Sequence, residues 1–173
     1  MRFPLLKELV MKLIAALVFS CVLITGSLVQ AQQPLPEYGP TITLEQAKKV
    51  MVAAEAEATK QKWPVAITIV DTHGFLVAFE KFDQTQLGSV ELSIEKAKTA
   101  ALYRRPTKAF EDLLAQGGQN LRLTRHPAMP IEGGIPITVD GKIIGAIGVS
   151  GVKSQEDAVV AQAGVDALKP APK

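Results

Sequence analysis

The 173-residue chain carries 19 basic and 17 acidic side chains, a formal charge of +2, two histidines and one cysteine. So small an excess gives no electrostatic ground for nucleic-acid binding, and a single cysteine excludes an internal disulfide framework. Two histidines are too few for a tetrahedral zinc site, and the single cysteine, Cys21, falls within the amino-terminal segment read below as removed.

The first 31 residues read as a secretory signal peptide. Arg2, Lys7 and Lys12 make a basic start, Leu13 to Ile24 is an uncharged apolar run, and Val29-Gln30-Ala31 precedes a cut ahead of Gln32. The apolar run is short for a bilayer span. Arg2, Lys7, Lys12 and Glu8 leave with it, so 16 basic and 16 acidic residues remain. The expectation is export to the periplasm or beyond, with no stable membrane span after cleavage. The remaining ~140 residues are one domain's worth of chain, and without disulfides that domain relies on its core or on assembly.

Residues 32–40, with Pro34, Pro36, Gly39 and Pro40, read as a flexible lead-in to a domain over 41–169. Thr43 and Gln46 form a capping-box pattern, and Leu44, Ala47, Val50, Met51, Ala54 and Ala58 recur at helical spacing to about Lys62. Val65–Val70 and Phe75–Glu80 are β-rich runs around Asp71-Thr72-His73-Gly74, an antiparallel hairpin. A helix follows from Gly88 or Ser89 to Tyr103, with Val90, Ile94, Ala97 and Ala101 on one side. Its small residues suit close packing on a sheet. Arg104-Arg105-Pro106 breaks it, and Thr107–Ala115 forms a shorter helix. Leu121–Met129 reads as loop, with a short strand near Ala128–Ile131. Ile135–Val139 and Lys142–Val149 flank Asp140-Gly141, a pair suited to a type I′ hairpin turn. Ser154–Asp157 opens a last helix, with acidic residues in its first turn, and 170–173 is a tail. This order predicts an α+β domain with a mostly antiparallel sheet of four to five strands and segregated helices.

Several separated segments together carry a family likeness. They are Val70-Asp71-x-x-Gly74, Phe82-Asp83, Leu87-Gly88-Ser89, Lys96–Ala100, Pro130–Ile137, Ile144–Gly151 and Asp157. In this order they resemble the GlcG/HbpS family, also described as domain of unknown function 336 or the haem-degrading domain, over roughly Thr41–Leu168. The resemblance implies a three-layer α-β-α domain, assembly into a homo-oligomer, and haem binding or slow haem degradation. Other members are glycolate-locus or corrinoid-linked proteins. Lys81–Thr85 departs from the family's Arg-Met-Asp-Gly-Ala-like segment, so the ligand can differ here.

Against that resemblance the candidate site residues fall into groups. His73 and His126 are the candidate haem-iron or metal ligands, the second beside Met129, Arg122 and Arg125. The competing reading of each is a solvated turn or loop histidine. Arg104 and Arg105, with Lys108, suit carboxylates such as haem propionates, or simply place positive charge at a helix's carbonyl end. Asp71, Glu80, Asp83 and Glu132 offer acid–base chemistry, without a spacing that fixes geometry. Gly148 and Ser150 precede the last helix, where free amides could receive an anion. The competing reading of the strand glycines is close packing of a helix or subunit. Gly148–Gly151 lacks the final glycine of a serine elbow, and no Gly-Lys-Ser/Thr makes a phosphate loop. Three functions follow: an exported haem-binding or redox-accessory module, an enzyme acting on haem or a small carboxylated metabolite, and a structural oligomer.

Overall fold

The computed structural model describes residues 34–169, so the signal sequence read at 1–31 and the tail at 170–173 lie outside the described residues. Four α-helices and four strands run α1 (Leu44–Gln61), β1 (Ala66–Asp71), β2 (Leu76–Lys81), α2 (Ser89–Tyr103), α3 (Lys108–Ala115), β3 (Gly134–Val139), β4 (Lys142–Ser150) and α4 (Ser154–Asp166). A 3₁₀ helix over Gly118–Arg125 separates α3 from β3. It occupies most of the segment read as loop, and no strand forms at 128–131.

The sheet has the order β2-β1-β4-β3, and every neighbouring pair is antiparallel. The fold is therefore α+β, as the element order predicts. Alternation along the strands sends side chains to two different helical layers. Ile67, Ile69, Ile147 and Val149 join Val50, Ala54 and Ala58 of α1 and Val160, Ala161 and Val165 of α4 in one core. Val70 and Ala146 pack on Ala97, Ala100 and Ala101 of α2 in a second. The sheet is thus sandwiched between α1/α4 and α2, which makes three layers.

Local chemistry sets the element ends. Thr43 Oγ1 accepts the Gln46 N–H at 3.2 Å while Gln46 Oε1 accepts the Thr43 N–H at 2.9 Å, closing the predicted capping box. Asp140 and Gly141 both take positive φ, 50° and 75°, as a type I′ turn requires. On α2 the buried stripe is rotated from the one the apolar residues suggest. Ser89, Ser93, Lys96, Ala97, Ala100 and Ala101 are buried, whereas Val90 and Ile94 are only half-buried. Close approach to the sheet selects small side chains over large ones at that face.

The lead-in differs from its expected flexibility. Beyond Asp71, where β1 ends against Gly145, the side of β4 that faced β1 has no strand partner. Residues 37–39 take that place: the Gly39 N–H donates to Ile143 O and the Ile143 N–H to Glu37 O, each at 2.8 Å. The Tyr38 hydroxyl then donates to Ala101 O at 2.9 Å, tying the segment to the end of α2. Unsatisfied edge groups, which composition does not reveal, fix this stretch.

Candidate functional site

The β1–β2 turn is built around Asp71. Its Oδ1 accepts the N–H groups of His73 at 2.8 Å and Phe75 at 2.9 Å, and the Asp71 N–H donates to Phe75 O. Gly74 takes φ 82°, and the space a Cβ would fill lies against Lys98 and Leu102 of α2. The turn therefore rests on the carboxyl end of α2 and holds His73 outward, its side chain 74% exposed. The His73 ring stacks on Phe75, with centroids 6.4 Å apart and 25° between planes. Phe75 is 70% exposed, and Leu102 beside the turn is 50% exposed. Leu102 O also receives the Tyr38 hydroxyl at 3.2 Å, and the Arg104 guanidinium sits 5.6 Å from the Tyr38 ring centre. Arg104 additionally reaches Pro36 O at 3.4 Å. One imidazole, three exposed apolar or aromatic side chains and one guanidinium thus gather where the turn, α2 and the lead-in meet.

His126 and Arg105 belong to a second group, at the α2–α3 junction. The Tyr103 ring meets Phe110 edge-on at 5.4 Å and His126 at 5.2 Å, and Arg105 lies 5.7 Å over Phe110. Arg105 Nε donates to Tyr103 O at 3.4 Å. The His126 Nδ1 accepts the Ala128 N–H at 3.1 Å. The six residues singled out by sequence are consequently divided: His73 with Arg104, His126 with Arg105, and Gly148 with Ser150 elsewhere.

Gly148 and Ser150 lie under α2. A Cβ at Gly148 would stand 2.1 Å from Ser93 O and 2.4 Å from Ala97 N. Ser150 is buried. This is the close-packing role weighed for the strand glycines, and it leaves no room for an anion at Gly148 within one chain.

The acidic candidates are dispersed as well. Asp71 organises the turn. Glu80 and Asp83 line a shallow cleft of about 650 Å³ between α1 and the end of β2, with Glu55, Lys62, Trp63 and Phe82. Burial, reinforced by Glu55, pushes the Glu80 carboxyl up. Glu132 is also pushed up, chiefly by burial; its Oε2 has no hydrogen-bond partner, while its N–H donates to Glu111 Oε2 at 2.6 Å. Among the described residues, no group of three or more His, Cys, Asp or Glu side chains is placed to hold a metal ion.

Sequence reasoning missed one buried pair. Lys96 Nζ donates to Asp157 Oδ2 at 2.8 Å and Val149 O at 2.9 Å, with both side chains almost wholly buried. Asp157 Oδ1 accepts the Val152 N–H at 3.2 Å. Burial raises the Asp157 carboxyl against the pull of Lys96 and of the Val152 and Gly151 amides. The available signal was position: Lys96 falls between Ser93 and Ala100 on the small-residue face of α2. Also missed were Tyr38, Phe75 and Leu102, because surface apolar residues become a patch only once the turn and the helix end are brought together.

The family model described as haem degrading protein HbpS-like matches residues 42–166. Protein GlcG of Escherichia coli strain K12 is 39% identical over 109 residues, which cover 63% of this chain and 81% of the relative. The crystal structure of HbpS superposes with a TM-score of 0.69 at 29% identity, covering 82% of this chain and all (100%) of the other. A crystal structure of a PduOC:haem complex gives 0.67 at 26% identity, covering 73% of this chain and 94% of that one.

Proposed function

The chain belongs to the HbpS-like family, and on that premise we propose that it is an exported haem-binding module that works as a homo-oligomer. The observation that carries the reading is the face at the β1–β2 turn, where exposed His73 and Phe75 adjoin Leu102, Tyr38 and Arg104. A haem asks for three things: an axial donor, apolar contact for the macrocycle, and cations for the propionates. This donor set fits that demand, whereas the described residues offer no cluster for a bare metal ion. The haem-bound relative, similar over most of this fold, supports the same ligand.

In this reading Phe75, Leu102 and Tyr38 shield one side of the ring from water and Arg104 pairs with a propionate. The bound group supplies a redox-active iron; the protein orients it and limits its exposure. The exposed patch is modest for one chain, so a second copy laid over it would complete the enclosure. The signal-like residues 1–31 support delivery outside the cytoplasm.

Haemin titration of the protein, followed at the Soret band, tests the function. Saturable binding at micromolar haemin with a shifted band is expected, and the absence of a saturable shift removes the reading. Light scattering with and without haemin checks assembly, which is expected to exceed a monomer.

A further inference from the structure

The two histidines, His73 and His126, are both exposed, and they differ in what faces Nδ1: a backbone N–H at His126, a hydroxyl at His73. A neutral imidazole that ligates iron does so through an unprotonated nitrogen, and its other nitrogen is best placed to donate an N–H to an oxygen behind it. His126 is arranged the other way. Its Nδ1 accepts the Ala128 N–H at 3.1 Å, so the neutral ring carries its proton on Nε2. Ligation through Nε2 would require that proton to leave and the Ala128 bond to break, and Nδ1 is already occupied.

His73 meets the requirement. Its Nδ1 lies 3.3 Å from the Thr72 hydroxyl oxygen, and Asp71 Oδ2 stands behind it at 4.0 Å, outside hydrogen-bond distance. The Thr72 hydroxyl can accept a proton held on Nδ1, a tautomer that the nearby Asp71 carboxylate favours by its charge and that leaves the Nε2 lone pair free. Asp71 is itself fixed, because its Oδ1 is held by the amides of His73 and Phe75. The carboxylate that backs the ring is therefore locked to the backbone that carries the ring. The Phe75 ring lies alongside, its centroid 6.4 Å away.

Resting on the haem-binding reading, we propose that His73 is the axial iron ligand, through Nε2, and that Asp71 is the positioning residue behind it. His126 instead belongs to the packing of the α2–α3 junction, against Tyr103.

Visible and electron paramagnetic resonance spectra of haemin-loaded protein test this, with thermal melts confirming that each variant is folded. His73→Ala is expected to lose the imidazole-ligated spectrum and to regain it on adding free imidazole, while His126→Ala keeps the wild-type spectrum. Asp71→Asn retains an acceptor for the turn amides but removes the charge. It is expected to weaken haemin binding about 10-fold or more and to raise the iron's reduction potential. If His73→Ala keeps the wild-type spectrum, the ligand assignment is overturned although haem binding stands. If Asp71→Asn changes neither affinity nor potential, the positioning role is overturned. If the wild-type protein fails to bind haemin, the haem reading itself falls, and the assignment with it.

Discussion

At Gly148 the sheet and α2 approach so closely that the hydrogen atom in place of a side chain is a packing requirement, with Ser93 O and Ala97 N in the space a Cβ would fill. Both obstructing atoms are backbone, so no rotamer change relieves them. Gly148→Val is expected to destabilise the protein by about 3 kcal/mol or more, at the upper end of overpacking effects, as read from urea denaturation. Lys96 and Asp157 are the other demanding position. Removing either partner leaves a buried charge unpaired, a change that costs about 3–5 kcal/mol. The Lys96→Met/Asp157→Leu double variant is expected to be less damaged than the sum of the singles, with a coupling of about 1–3 kcal/mol. Glu132 gives a pH signature. Burial raises its carboxyl above the unfolded value of 4.5, so the folded chain holds that proton more tightly than the unfolded one. Its contribution is present below the unfolded pKa and is lost as pH rises through the folded pKa. Glu132→Gln should flatten the fall in stability from about pH 4.5 upward, measured by denaturation at a series of pH values.

Among elements, the structure depends on a few polar fasteners between layers that were formed by apolar patterning. Thr107 and Gly134 are joined reciprocally: the Thr107 N–H donates to Gly134 O, and Thr107 Oγ1 accepts the Gly134 N–H, both at 2.9 Å. This clamp fixes the start of α3 against the start of β3, across the Gly133–Gly134 corner. Thr68 and Ser93 share a buried hydrogen bond of 2.8 Å between β1 and α2. Thr107→Val keeps the shape but strands a buried N–H, and is expected to cost about 1–3 kcal/mol. Hydrogen exchange checks the element assignment: the Gly134 amide should lose protection in that variant before β1 does. The elements themselves were legible from periodicity, capping residues and turn pairs. The 3₁₀ helix at Gly118–Arg125 was not, because its short i,i+3 turns bury none of its residues and so leave no apolar period.

For the molecule as a whole, export is a statement about residues 1–31 and needs its own test. Expression in a bacterium followed by mass determination of the exported protein should give a chain beginning at Gln32. Retention of an intact Met1 start on the cytoplasmic side would remove that part of the proposal. The candidate site is a whole-molecule property too. It needs the β1–β2 turn, the end of α2 and the residue 37–39 segment, which are far apart in sequence and adjacent only because β4 leaves an open position beside β1. His73 and Arg104 were visible as residues, but nothing in their spacing pairs them with each other rather than with His126 and Arg105.

Sequence alone determined the types and order of the four α-helices and four strands, the capping box at Thr43, the turn at Asp140-Gly141 and the family, since each depends on local conformation or on motifs that survive in a linear string. Only the tertiary structure decided which face of α2 is buried, that Lys96 finds Asp157, and that His126 accepts a backbone N–H while His73 faces a hydroxyl. Those outcomes depend on close approach and hydrogen-bond direction between segments distant in the chain, and neither quantity is encoded in periodicity.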